Sequence, residues 1–194
     1  MPIKLNLRAG LAALKGAFNP SDDVAPPPES EPSSIVFLLQ RSEFPNLQQL
    51  SARAEKAFNV HFAIENATNY CVFQKALFTL MKIGTHTLSF MLYTKPYFEG
   101  HPDFVRDLPL PAQRAACEKH TSWLAMNYAK GPGSVDIQYA LLSRLGIEML
   151  DANCTGAYIP GGQLLIPNDG SLLRELQRNA SIVRDLGLPP LTLN

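Results

Sequence analysis

The chain has 194 residues, of which 46% are hydrophobic and 18% charged, and its 17 basic and 17 acidic side chains give zero net charge. A neutral chain lacks the basic excess that attracts nucleic acids, so we predict no nucleic-acid partner. The apolar content excludes disorder along the whole chain. No run of about 18 apolar residues is present, so we expect no transmembrane segment.

Three widely spaced cysteines indicate the cellular compartment. Cys71, Cys117 and Cys154 form no CxxC pair, and an odd count does not fit a disulfide framework. Residues 1–18 lack the continuous apolar core of a secretory signal. We therefore expect reduced, mostly buried thiols in a cytoplasmic protein.

The composition changes twice near the start of the chain. Residues 1–18 contain three basic and no acidic side chains, whereas residues 19–34 contain four acidic side chains and five of the sixteen prolines. Proline-rich sequences favour extended, solvated backbone. We therefore predict a basic N-terminal segment over 1–18, a disordered acidic linker over 19–34 and a single globular domain over 35–194.

Residues 35–194 give a series of hydrophobic patterns in chain order. Short runs of β-forming residues predict seven strands, at residues 35–39, 60–64, 77–83, 86–93, 122–128, 154–159 and 163–166. Helical spacing of apolar residues predicts four helices, at residues 47–58, 111–120, 135–150 and 171–178. Residues 94–111 contain four prolines and are predicted to form a loop.

Local signals support several of these elements. Asn46 is a suitable N-cap for the first helix, and Gly84-Thr85 is suitable for a type II′ turn between two strands. Residues 122–128 fit either a strand or a continued helix, and the aromatic residues there favour a strand. Strands mixed with irregularly spaced helices predict an α+β fold, in which helices pack mainly on one face of a mixed, largely antiparallel sheet.

Cys117 and His120 are three residues apart in a predicted helix and therefore share a face. A Cys–His pair can produce a thiolate nucleophile, and His101 could complete three zinc ligands. The sequence shows neither an orienting third group nor a fourth ligand, so the alternative is a buried cysteine beside a structural histidine. We predict no metal and no cofactor, and retain a small hydrolase or transferase using Cys117 or His120 as the alternative function.

A glycine loop, residues 130–134, precedes the longest predicted helix. Backbone N–H groups at a helix start can bind a phosphate. This loop lacks the spacing and the lysine-hydroxyl pair of a phosphate-binding loop, and Asp136 would repel an anion. A tight turn capped by Ser134 is the favoured interpretation.

A segment rich in rings and prolines, residues 93–104, is the first candidate interaction surface, and we call it the aromatic segment. Its four aromatic residues are Tyr93, Tyr97, Phe98 and Phe104. Rigid rings in a proline-rich loop are typical of recognition surfaces, because they give a large contact area at low entropic cost. The alternative is that the rings fold back and cover an edge of the sheet.

The N-terminal segment is the second candidate. Its apolar residues recur at helical spacing, at Leu7, Leu11, Leu14 and Phe18. Such a stripe opposite basic residues could bind a partner groove, a second subunit, its own domain or, weakly, an anionic membrane through residues 3–18. The alternative is a frayed tail, because an isolated helix this short is marginally stable in water.

The order of elements also suggests a resemblance. An apolar strand, a helix, a hairpin ending in Lys95-Pro96-Tyr97, and His120 before Trp123-Leu124 together resemble uncharacterised bacterial α+β domains of unknown function over residues 35–168. The resemblance implies a bacterial protein, with a link to secretion or toxin–immunity systems, and carries over no functional residue. Our leading hypothesis is a non-enzymatic, protein-binding or adaptor domain.

Overall fold

A computed structural model describes residues 33–65, 69–75 and 78–182 of the chain. The described strands are β1 (Ser34–Leu39), β2 (Tyr70–Lys75), β3 (Phe78–Ile83), β4 (His86–Tyr93), β5 (Ser122–Lys130), β6 (Cys154–Ile159) and β7 (Leu164–Pro167). The described α-helices are α1 (Leu47–Phe58), α2 (Pro102–Arg106), α3 (Pro111–Lys119), α4 (Val135–Met149) and α5 (Ser171–Ile182). A short 3₁₀ turn spans Pro160–Gly162.

The seven strands form one antiparallel sheet in the order β2-β3-β4-β5-β1-β6-β7. β1 lies at the centre between β5 and β6, and all six of its residues are buried. This position explains its continuous apolar sequence, because a central strand covered on both faces needs no polar alternation. The predicted α+β class is confirmed.

Three long helices cover the first face of the sheet. α1, α4 and α5 pack there against alternate strand residues such as Phe37 and Met126, and the α4 residues Leu141, Leu142 and Leu145 are fully buried. This core is mainly aliphatic and also contains rings such as Phe58 and Phe90. The prediction that helices lie mainly on one face is confirmed.

The second face is covered differently. The short helix α3 lies over β6, β7 and β1, and α2 packs beside it. Gly156 of β6 permits this close approach, because a Cβ atom there would lie 2.8 Å from the Ile166 carbonyl oxygen and 3.3 Å from Ala116 Cβ. α3 therefore brings Cys117 and His120 onto the second face.

The predicted strand at residues 60–64 is wrong. Only Ala63 forms a bridge, in parallel with Cys71 of β2. The Phe62 backbone instead bonds to side chains of α1, since its N–H donates to Glu55 and its carbonyl accepts from Ser51. The hydrogen-bonding groups of the Phe62 backbone are therefore paired with side chains of α1 rather than with a neighbouring strand.

Two elements are absent from the sequence-based prediction. β2 pairs with β3 over its full length of six residues at an edge of the sheet. Residues 102–106, predicted as loop, form the single-turn helix α2. Both are short elements, of six and five residues, and offer too few positions for a clear hydrophobic period.

The other predicted elements are present with small changes in their bounds. Asn46 caps α1 in a reciprocal capping box with Gln49, and Gly84 turns the β3–β4 hairpin with φ of 62°. Residues 122–128 lie within β5, which pairs with β4 and β1 on its two sides. β1 begins one residue before the predicted domain boundary, at Ser34.

Candidate functional site

Six rings from five parts of the chain meet on the second face, and we call them the aromatic cluster. Its members are Tyr93, Tyr97, Phe98, Phe104, Trp123 and Tyr158. The pairing of β4 with β5 places Tyr93 directly beside Trp123, and the two rings stack with centroids 3.9 Å apart and planes 14° apart. The sheet register therefore fixes one side of the cluster.

The loop after β4 folds back over the sheet and adds the inner rings. Tyr97 meets Trp123 edge-on with centroids 4.9 Å apart, and Phe98 meets Tyr158 edge-on at 5.4 Å. Phe104 of α2 stacks on Phe98 at 4.6 Å. Such aromatic pairs stabilise by about 0.5–1.5 kcal/mol each beyond the burial of their area.

The rings differ in exposure. Tyr97 and Phe98 are each 5% exposed. These two residues fold back onto the sheet, as the alternative interpretation of the aromatic segment predicts for them. Tyr93, Phe104 and Trp123 remain partly exposed, and we call them the aromatic rim.

His120 joins the aromatic segment to α3. The ring is 4% exposed and follows the last residue of the helix. Its Nδ1–H donates to the Cys117 carbonyl, while its Nε2 accepts a hydrogen bond from the Tyr97 backbone N–H at 2.8 Å. These two bonds require the neutral ring with its proton on Nδ1. Burial lowers the pKa of His120 and outweighs the opposing effect of the backbone hydrogen bonds.

α3, which carries His120, is fixed at both ends. The Gln113 side chain near its start donates to the Leu165 carbonyl of β7 at 2.8 Å and accepts from the Leu110 N–H. Near its end, the Thr155 hydroxyl of β6 donates to the Ala116 carbonyl at 2.9 Å. The position of the imidazole is therefore set by the sheet.

Cys117 lies at a groove between α2 and α3 that is also lined by Val105, Arg106 and Arg114. The residue is only 6% exposed, and burial, with a smaller effect of Glu118, raises the pKa of its thiol to about 12. Such a thiol is protonated at neutral pH, whereas nucleophilic cysteines are thiolates. The geometry gives the Cys117 carbonyl, rather than its thiol, a defined contact with His120.

His101 does not join Cys117 and His120 in a metal site. In residues 33–65, 69–75 and 78–182, no three His, Cys, Asp or Glu side chains form a group that could hold a metal ion. His101 instead precedes α2, and its N–H donates to the Phe98 carbonyl at 3.0 Å. Its observed contact belongs to the turn of the aromatic segment.

The glycine loop is fixed by buried polar side chains. The Tyr128 hydroxyl donates to the Pro132 carbonyl at 3.0 Å, and its oxygen lies 2.7 Å from Nδ1 of the buried His86. Gly131 has φ of 146°, and a Cβ there would lie 2.8 Å from that nitrogen. Ser134 occupies the N-cap of α4 without a side-chain capping bond. The loop is therefore a tight turn packed against His86.

The remaining sequence candidates lie outside the described residues. The apolar stripe of residues 1–18 is Leu7, Leu11, Leu14 and Phe18, and it lies there together with residues 19–32 of the predicted linker over 19–34. The last two linker residues are described and contradict the prediction of disorder, because Ser33 and Ser34 are buried and Ser34 begins β1. Every helix within the described residues is too short or too polar to serve as a membrane span.

Sequence reasoning missed three contributors to the site. No local sequence pattern indicates that Trp123 and Tyr158 belong to the aromatic cluster, or that His120 accepts a hydrogen bond from Tyr97. The alternation of β5 predicts that Trp123 lies on the face opposite Leu124, but its neighbour Tyr93 follows only from the register of β4 and β5. The long-range pairing of strands is the information that the sequence patterns lack.

The fold and this cluster define an α+β protein with a seven-stranded antiparallel sheet that carries an aromatic surface. In comparisons with known proteins, no family model matches the chain, and neither does a curated protein or a solved structure.

Proposed function

We propose that this chain is a protein-binding or adaptor domain whose contact surface is the aromatic rim of Tyr93, Phe104 and Trp123. The observation that carries the proposal is the combination of partly exposed outer rings with buried inner rings that hold them. Aromatic side chains dominate the energetics of protein interfaces, and rings already fixed in place lose little entropy on binding.

The surroundings of the rim support the same function. Lys95, Glu99 and Asp103 are exposed in the aromatic segment around it. Protein interfaces commonly have an aromatic centre and a polar, solvent-accessible periphery. The partner that fits such a surface is a protein segment with an apolar or aromatic anchor and mixed charges at its margin.

Three finer parts of the proposal derive from the sequence. We propose a cytoplasmic location, a second contact through the apolar stripe of residues 1–18, and a link to bacterial secretion or toxin–immunity systems. Self-association through either surface is the variant in which the partner is a second copy of the chain.

The alternative of a hydrolase or transferase has less support. The Cys117 thiol has a pKa raised to about 12, and both ring nitrogens of His120 already have hydrogen-bond partners. A catalytic pair requires a thiolate and an imidazole nitrogen that is available to exchange a proton.

Photo-crosslinking tests the proposed surface. A benzoylphenylalanine replacing Phe104 would lie in the rim, whereas the same group replacing Val135, which is 52% exposed on α4, provides a matched control. We expect one defined protein adduct at position 104 in the native host cells and none at position 135. The same adduct should disappear when Tyr93→Ser is added. Equal labelling at both positions, or none at position 104, would contradict the proposal.

A further inference from the structure

We propose that His120 is a proton-sensitive clasp: the neutral ring holds residues 94–104 over the sheet, and protonation of Nε2 releases them and separates Phe104 from the rest of the aromatic rim. The inference rests on the proposed function for its biological meaning, since the rim is the proposed contact surface. The release itself is a property of the isolated chain.

The clasp follows from the direction of one hydrogen bond. His120 Nε2 accepts from the Tyr97 N–H across 2.8 Å, which requires a lone pair on that nitrogen. A proton on Nε2 would place two donors against each other at this distance. Because Nδ1–H already donates to the Cys117 carbonyl, the ring has no second way to accept the Tyr97 N–H.

The contact lies at a position that controls the segment. Tyr97 is the residue whose ring meets Trp123, Phe98 and Tyr158 at centroid distances of 4.9, 5.0 and 5.5 Å. Loss of its backbone bond leaves a buried N–H without its acceptor, which is unfavourable. Water reaching this N–H would separate the inner rings from the sheet.

The groups around the ring provide no charge that would stabilise an imidazolium. The titratable or charged side chains on the elements packed around it are Lys95, Tyr97, Glu99, His101, Asp103, Arg106, Arg114, Cys117, Glu118, Lys119 and Tyr158. The acidic residues among them are exposed to solvent, Arg106 and the half-buried Arg114 are cations, and the Cys117 thiol is neutral. Among the described residues, His61 Nδ1 lies 2.6 Å from a carboxylate oxygen of Glu55, whereas no carboxylate lies within ion-pair distance of His120.

The pH range follows from the same surroundings. Burial lowers the pKa of His120 below its ordinary value of 6.5. The ring is therefore neutral and the clasp closed at neutral pH, and the segment opens as the pH falls below 6.5 and through the pKa of the folded state. Opening is expected to leave the core on the first face intact, because its packing does not involve His120.

Trp123 is the only tryptophan in the chain and reports directly on the clasp. Its ring meets Tyr97 edge-on, so release of residues 94–104 exposes the indole on that side, whereas its stack on Tyr93 is kept by the pairing of β4 with β5. On titration of the full chain from pH 8 to pH 4, we expect a reversible red shift of its emission, with a midpoint below 6.5. We also expect acrylamide quenching to rise by about twofold or more, as local opening requires, while the far-ultraviolet circular dichroism stays constant.

Two glutamine variants assign the transition. His120→Gln keeps an amide oxygen as acceptor but cannot titrate, so the fluorescence transition should disappear. His86→Gln is the matched control, because His86 is also buried and also has a lowered pKa but contacts Tyr128 at the other end of β5. The transition should persist in this control.

A measurement on the wild-type chain is independent of whether either variant folds. Nitrogen-15 spectra should show the Nδ1–H form of His120 at pH 7.5, and its titration midpoint should equal that of Trp123. The clasp is wrong if Trp123 emission stays constant while His120 titrates, or if the transition persists in His120→Gln. A simultaneous loss of circular dichroism would equally overturn it, since acid would then unfold the whole domain. These measurements need no partner protein. Failure of the clasp can therefore be distinguished from failure of the proposed function, which the crosslinking at position 104 tests.

Discussion

The two faces of the sheet are built from different kinds of contact. The first face packs mainly aliphatic side chains against three long helices, with residues such as Leu141 and Leu145 fully buried, and includes a minority of rings such as Phe37 and Phe90. The second face packs rings at defined angles and fixes them through a histidine with two hydrogen bonds. Aliphatic packing depends on volume, whereas aromatic and hydrogen-bonded contacts also depend on direction.

This difference assigns separate tasks to the two faces. A non-directional core tolerates small adjustments and stabilises the domain as a whole. A directional cluster holds a surface in one geometry, and in the proposal above one proton on His120 is sufficient to release residues 94–104 from it. The following predictions test whether the faces are separate in this sense.

Phe98→Ala gives the largest expected effect. Phe98 is 5% exposed and contacts Tyr97, Phe104 and Tyr158, so its removal should lower the free energy of unfolding by about 3–5 kcal/mol. Phe37→Ala, at a 2% exposed position on the first face, is the matched comparison and should have a loss of similar size. Urea denaturation measures both. A loss below about 1 kcal/mol for Phe98→Ala would show that the aromatic segment is not part of the folded core.

The Cys117 thiol tests whether the second face is as well shielded as the first. Burial is the largest influence that raises the pKa to about 12 for both Cys117 and Cys154, and Cys154 belongs to the first-face core. At pH 8, the thiolate fraction of such a group is about a thousandfold below that of a free cysteine, so iodoacetamide should label both sites at least that much more slowly. Mass spectrometry of the labelled peptides gives the rates. Selective, rapid labelling of Cys117 would favour the enzymatic alternative.

His120→Leu compares polar groups on the two faces. The substitution leaves the buried Tyr97 N–H and Cys117 carbonyl without the histidine, which should lower stability by about 1–3 kcal/mol. Ser143→Ala is the first-face counterpart, since the buried Ser143 hydroxyl has no hydrogen-bond partner within the described residues. That substitution should be neutral or slightly stabilising. If thermal denaturation shows the same loss of stability for His120→Leu and Ser143→Ala, the second face does not depend more on buried hydrogen bonds than the first face does.

The sequence predicts the first face better than the second. Helical and strand periodicities indicate β1, α1, α4 and the β3–β4 hairpin, because these elements bury stripes that can be read locally. The prediction of a strand at 60–64 is wrong because the Phe62 backbone forms hydrogen bonds with the Ser51 and Glu55 side chains of the preceding helix. The periodicity of the sequence does not indicate such contacts between elements.

The second face depends on pairs that are distant in sequence. The aromatic segment predicts rings at 93–104, but whether they point outward depends on Trp123 and Tyr158, which are brought there by strand order. Likewise, Cys117 and His120 have the spacing of a reactive pair, yet their contact is between the imidazole and a backbone carbonyl. Residue type and spacing indicate which groups are near each other, but hydrogen-bond direction and burial decide their chemistry.

Asn46→Ala gives the smallest expected effect, and it measures how much a helix cap adds to the core packing of the first face. Asn46 accepts from the Gln49 N–H at 2.9 Å, so Asn46→Ala should lower the free energy of unfolding by about 1 kcal/mol. Ser134 has the same position before α4 but makes no side-chain capping bond, so Ser134→Ala should have almost no effect. The difference between the two variants in urea denaturation isolates the capping bond, because both sites are exposed. If the two variants lose the same stability, the loss comes from placing alanine at an N-cap position, and the hydrogen bond from Gln49 to Asn46 adds no stability. If only Asn46→Ala loses stability, the start of α4 is stabilised by its buried side chains rather than by a cap, as expected because α4 has more buried residues than α1 or α5.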